Sequence, residues 1–159
     1  MDKAICAIMG DYKTSYRSYD HPMEGVRVSM TGGQAITTGT LTPIDFTSEV
    51  YDTHDLFNGG VSASRITFKR RGFATIGAWA QFANPGATIA EGVSIYLNGT
   101  SILAAQYGID ISGGGFIHNV TANYLVAKGD YVDLRVIHTR GSNLNVSAAQ
   151  LFALQFPEP

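Results

Sequence analysis

The sequence predicts an all-β domain built from antiparallel strands. From residue 25 onward, short apolar stretches alternate with tight turns, and no helical periodicity interrupts them. The chain has 159 residues, of which 18 are glycine and 45% are hydrophobic. A chain of this length can bury one core, and evenly spaced strands without helices fold as a sandwich or a barrel.

The first residues differ from the rest of the chain. Residues 11–24 are polar and rich in turn formers, and they follow a short apolar run at residues 4–9. We interpret residues 1–24 as an extended arm and residues 25–159 as the folded domain. The alternative is that the apolar run is an ordinary first edge strand of that domain.

The strands of the domain are predicted from alternation and from turn signals. Val26, Val28 and Met30 alternate with polar residues, which is typical of a half-buried strand. Beyond them, apolar stretches bounded by Gly, Pro and Asn predict strands at residues 35–38, 61–68, 73–83, 88–97, 101–107, 116–127, 131–138 and 144–156.

Two of the turns have specific chemistry. The dipeptide Asn98-Gly99 suits a two-residue hairpin, because both central residues of a type I′ turn need positive φ. A second tight turn is predicted at residues 128–130, and in the strand after it Asp133 and Arg135 should point away from the core.

Residues 73–83 and 151–156 have apolar side chains on both faces. An antiparallel strand with one solvated face should present polar residues there. We therefore expect a core on one side of these strands and a partner subunit on the other. The sequence leaves open which face meets the partner, so the predicted subunit interface takes residues from both: Phe73, Thr75, Ala78, Trp79, Ala80, Phe82, Leu151, Phe152, Ala153, Leu154 and Phe156.

Several short motifs are spread along the domain: Asp52-Thr53-His54-Asp55-Leu56-Phe57, Ser64-Arg65-Ile66-Thr67-Phe68, Gly72-Phe73, Tyr96-Leu97-Asn98-Gly99 and Lys128-Gly129-Asp130-Tyr131-Val132, before an apolar last strand that ends at Phe156. Together they resemble the trimeric jelly-roll superfamily of the complement globular head and tumour necrosis factor. The resemblance implies an antiparallel jelly-roll sandwich of nine to ten strands. It also implies a homotrimer that associates through the sheet containing the central and last strands.

The collagen-like stalk of the complement proteins and a membrane anchor are both absent from this sequence. The apolar run Ala4, Ile5, Cys6, Ala7, Ile8 and Met9 is too short for a signal-peptide core. Small jelly rolls of this kind resemble bacteriophage decoration (cement) proteins. This resemblance implies a protein made in the host cytoplasm and carried on the virion, at the capsid surface. We expect the run at residues 4–9 to attach it to the major capsid protein.

The main alternative function is a receptor- or glycan-binding tip of a tail fibre or another adhesive appendage. Only about two dozen residues precede the domain, which is short for a fibre shaft. A sugar-active enzyme on a jelly roll is a third possibility, but the sequence shows no convincing pair of facing carboxylates. Trp79 and Tyr96 could stack on a sugar, although packing in the core or an interface is the preferred interpretation.

No other chemistry is indicated, and we predict a protein that is not an enzyme and needs no cofactor. The net charge of −2 argues against a nucleic-acid partner, and the basic run at residues 69–71 reads as a solvated turn. Cys6 has no partner cysteine. His54 lies between Asp52 and Asp55, but one imidazole and two carboxylates do not complete a metal shell. We therefore predict no metal site, and no membrane contact.

Overall fold

The computed structural model describes residues 23–110 and 115–158. Within these residues the chain forms strands and turns, with no helix. The strands, in chain order, are β1 (Glu24–Met30), β2 (Gln34–Ile36), β3 (Thr42–Pro43), β4 (Ser48–Asp52), β5 (Arg65–Thr67), β6 (Gly72–Phe82), β7 (Ile89–Leu97), β8 (Ser101–Asp110), β9 (Ile117–Val126), β10 (Tyr131–His138) and β11 (Leu144–Pro157).

The strands form two antiparallel sheets. The six-stranded sheet has the order β4-β1-β11-β6-β9, and β2 also pairs with β11. The five-stranded sheet has the order β3-β10-β7-β8, and β5 also pairs with β10. The predicted all-β antiparallel fold is therefore confirmed. No helix in the described part of the chain is long and apolar enough to cross a membrane.

The core lies between the two sheets and is made of alternate side chains. Val26 and Val28 of β1 are fully buried, as are Val132, Leu134 and Val136 of β10. Each such side chain stabilises the fold by about 1.5–3 kcal/mol relative to an exposed position. The alternation seen in the sequence thus identifies the inner face of these strands.

The Asn98-Gly99 turn has the predicted geometry, with φ of 51° at Asn98 and 71° at Gly99. The predicted strand at residues 61–68 is wrong in its first half, since only Arg65–Thr67 is extended. The amides of Val61 and Ser62 both donate to the Asn58 carbonyl, which turns the chain back before β5.

Strand β1 begins at Glu24, close to the predicted start of the domain. The predicted arm, with its proposed attachment residues 4–9, lies outside the described residues except for its last two positions. It stays a prediction.

Candidate functional site

The two strands with apolar faces on both sides, β6 and β11, lie next to each other in the six-stranded sheet. Part of the predicted interface points from them into the core. The five residues concerned are at most 3% exposed: Ala78, Ala80, Phe82, Leu151 and Ala153. They face the opposite sheet and cannot reach a partner, so their assignment to an interface is corrected here. The sequence could not separate the faces, because both alternating sets are apolar.

The remaining predicted residues lie on the outer face of the six-stranded sheet. At one end of this face Phe156, Phe73 and Leu125 are paired neighbours on three adjacent strands, β11, β6 and β9. Their exposed fractions are 55%, 50% and 46%. We call these three residues the apolar row. Leu125 was not predicted, although it follows Thr121 and Asn123 in the alternating set that faces outward and is the apolar member of that set at this end of β9.

Beyond the apolar row, the outer face is lined by closely packed side chains. Leu154 and Thr75 form the next paired position. The Phe152 ring then lies flat over Gly77, where a β-carbon would overlap it. Only glycine at position 77 leaves room for the ring to lie against the sheet. Phe152 is therefore half-buried and does not project from the outer face.

The far end of the outer face carries a group of hydrogen-bonded polar side chains. The Trp79 indole N–H donates to Gln150 Oε1 at 3.0 Å. Arg27 donates to the same oxygen from Nε at 3.1 Å and from a terminal nitrogen at 2.7 Å. Trp79 is thus held in a hydrogen-bonded group, while Ile117, paired with Gln81 at the same end, is 56% exposed.

A second apolar surface lies on β8, the edge strand of the five-stranded sheet. Ile102, Tyr107 and Ile109 share its outward side and are 55%, 60% and 65% exposed. Strand β8 lies beside β9 of the other sheet, since Gln106 Oε1 accepts a hydrogen bond from the Asn119 amide at 2.7 Å. One edge strand of each sheet, β8 and β9, therefore lies on the same side of the sandwich.

The segment containing Asp52, His54 and Asp55 is a structural loop. The Asp52 carboxylate accepts hydrogen bonds from the amides of His54 at 3.1 Å and Phe57 at 2.7 Å. Asp55 lies 3.9 Å from the Lys69 ammonium. In residues 23–110 and 115–158 no group of three His, Cys, Asp or Glu side chains is placed to hold a metal ion.

Two buried pairs of titratable side chains were missed from the sequence. Glu91 lies 3.4 Å from His118 Nε2 between the sheets. Asp133 points outward as predicted, but Arg135 covers it at 2.7 Å and leaves it only 4% exposed. The hydrogen bond to Asp133 raises the pKa of Arg135 above its ordinary value. Glu91 could have been found, because it shares the apolar face of Val93.

Tyr96 is also accounted for by packing. The Arg135 guanidinium lies 4.4 Å from the centre of its ring, and Tyr96 is 9% exposed. It is therefore no open platform for a sugar.

Comparisons with known proteins identify the fold. No protein-family model and no curated protein matches the chain. Among solved structures, the globular domain of a zebrafish complement 1qA protein has a TM-score of 0.58 at 14% identity, covering 85% of this chain and 97% of that one. Murine APRIL at pH 5.0 has a TM-score of 0.61 at 11% identity, covering 85% and 100%. Eiger TNF from S. frugiperda has a TM-score of 0.56 at 10% identity, covering 87% and 96%. The chain thus has the jelly-roll fold of these complement and TNF-type domains, as predicted.

Proposed function

We propose that the protein is a homotrimer that associates through the outer face of its six-stranded sheet, and that this trimer is a structural protein decorating a bacteriophage capsid. The observation that carries the trimer is the apolar row. Three large apolar side chains, each about half exposed, lie side by side on the sheet that the sequence resemblance implicates in association.

The size of the apolar row is sufficient to matter energetically. Two half-exposed phenylalanines and a half-exposed leucine leave on the order of 250 Å² of apolar surface in water, which corresponds to an upper limit of about 6 kcal/mol per protomer when covered. Contiguous apolar surface of this kind on a soluble protein marks an interaction site more often than a scattered single residue does.

A closed ring of three subunits places a further demand on each protomer. Such a ring is heterologous, so one surface of a protomer must contact a different surface of the next. The outward side of β8, with Ile102, Tyr107 and Ile109, supplies a second apolar surface beside the open sheet edges. Two distinct apolar surfaces favour a ring over a simple twofold dimer.

The capsid role rests on a physical mechanism. A trimer placed over a local threefold position contacts several capsid subunits, and the shell must break those contacts before it expands. Three arms on one rigid body bind together more strongly than one arm does, and we assign this attachment to residues 4–9. The low charged fraction of 15% also favours a chain whose surface is largely covered in an assembly.

The test uses the full chain and capsids that lack it. We expect the wild-type protein to co-sediment with such capsids and to raise their thermal stability. Phe73→Glu should lower both the co-sedimentation and the thermal stabilisation. It leaves the attachment segment intact but prevents trimer formation, so each protein then binds the capsid through one arm and not three. A trimeric wild type that does not bind capsids would contradict the decoration role and leave the trimer standing.

A further inference from the structure

A surface cleft lies beside the five-stranded sheet and belongs to a single protomer. Its volume is about 260 Å³, smaller than the roughly 300–1,000 Å³ of pockets for drug-sized ligands. It suits a ligand of the size of one sugar ring. The lining residues used below are Phe57, Asn58, Val61, Ser62, Arg65 and Lys69.

The walls of the cleft are fixed by hydrogen bonds. On one side the Phe57 amide is held by the Asp52 carboxylate at 2.7 Å, and the Leu56 carbonyl accepts from the Thr67 amide at 2.8 Å. On the other side the Asn58 carbonyl accepts from the Ser62 amide at 2.8 Å. The cleft is therefore formed without a ligand.

Arg65 is one of the two cations that line the cleft. Its guanidinium lies 4.6 Å from the centre of the Tyr131 ring. The neighbouring carboxylate, Asp133, is already paired with Arg135 at 2.7 Å. Among the described residues, Arg65 Nε is buried without a hydrogen-bond partner. Arg65 as a whole is only partly buried, so a ligand in the cleft would approach its guanidinium through the terminal nitrogens and not through Nε.

The other lining residues define the class of that acceptor. Lys69 is about half exposed and lies 3.9 Å from Asp55, a loose pair between largely solvated groups. Two cations against one carboxylate leave the cleft positive. Phe57 and the 82% exposed Val61 add apolar surface, while the side chains of Asn58 and Ser62 offer polar groups.

We propose that this cleft binds a carboxylate-bearing monosaccharide, such as the acidic residue of a glycan. The planar guanidinium of Arg65 matches a carboxylate in shape and charge, and Lys69 provides a second positive charge. Asn58 and Ser62 bind hydroxyl groups, and Phe57 with Val61 covers the C–H face of the ring. This binding site goes beyond capsid decoration and does not depend on trimer formation.

The experiment is a titration of the full-length protein, followed by amide and Arg Nε chemical shifts. The probes are glucuronic acid, N-acetylneuraminic acid, glucose and acetate. We expect saturable shifts with millimolar affinity for at least one sugar acid, and weaker or no binding for glucose and acetate. Arg65→Gln should abolish saturation, whereas Arg140→Gln, on a turn where Arg140 donates to the Asn143 carbonyl, should bind as the wild type does.

Lys69→Gln is the second variant if Arg65→Gln does not fold. Lys69 is about half exposed, so this variant should fold, and its affinity for the sugar acid should fall at least threefold. The proposal is overturned if neither sugar acid binds, or if Arg65→Gln or a folded Lys69→Gln binds like the wild type. Equal affinity for glucose would overturn the role of charge, and equal affinity for acetate would overturn the saccharide assignment.

Discussion

Replacing Phe73 with serine should separate folding from association. Phe73 is 50% exposed in the protomer and lies in the middle of the apolar row, between Phe156 and Leu125. Its outward half contributes little to the core of its own chain. In a trimer the same half would be covered by a partner, so the substitution should mainly weaken the contact between subunits.

The magnitude follows from the exposed half of the ring. Half of a phenylalanine side chain is about 100 Å², or about 2.5 kcal/mol per protomer when buried. Three copies give about 7.5 kcal/mol, which lowers the trimer association constant by roughly five decades. Because the concentration at half dissociation varies with the square root of that constant, it should rise by roughly 500-fold.

Dilution with light-scattering detection measures this midpoint. The control is Val61→Ser, which removes an apolar side chain that is 82% exposed on the loop beside the other sheet. We expect the control to dissociate at the wild-type concentration and both variants to keep the wild-type circular dichroism spectrum. A folded Phe73→Ser protein with an unchanged midpoint would refute the assignment of the apolar row to the interface.

Three further substitutions test the packing described above. Ala153→Glu places a charge at a position with no exposure, costs several kcal/mol, and should abolish folding as judged by circular dichroism. Asn98→Ala keeps φ of 51°, which asparagine tolerates better than alanine does, and removes the 2.8 Å bond from the Asn98 amide to Asp130; urea unfolding should show a loss of about 1–3 kcal/mol. Arg135→Ala removes the 2.7 Å bond to Asp133 and uncovers that carboxylate to water, so it should cost only about 1 kcal/mol in the same assay; a loss of several kcal/mol would show that Asp133 stays buried without Arg135.

Much of the sandwich could be predicted because alternation carries direct information about burial. Val132, Leu134 and Val136 alternate with polar residues, and β10 was predicted at its observed bounds, Tyr131–His138. The alternation fails where both faces of a strand are apolar. In β6, Ala78 is buried in the core and Phe73 is exposed, and nothing local distinguishes the two positions.

Contacts between distant segments account for what the sequence did not reveal. Glu91 and His118 lie on different sheets and meet only when the sandwich closes. The cleft at Arg65 likewise needs the turn that ends at Ser62, which the apolar appearance of residues 61–68 concealed. Predicting either feature requires knowing which strands face each other, and that depends on the topology of the whole domain.

The most direct test of the proposed assembly is the mass of the full-length protein by sedimentation equilibrium at micromolar concentration. The apolar row predicts a species of three times the 17.0 kDa chain mass. A single species at the mass of one chain, over the whole concentration range, would contradict the proposed trimer.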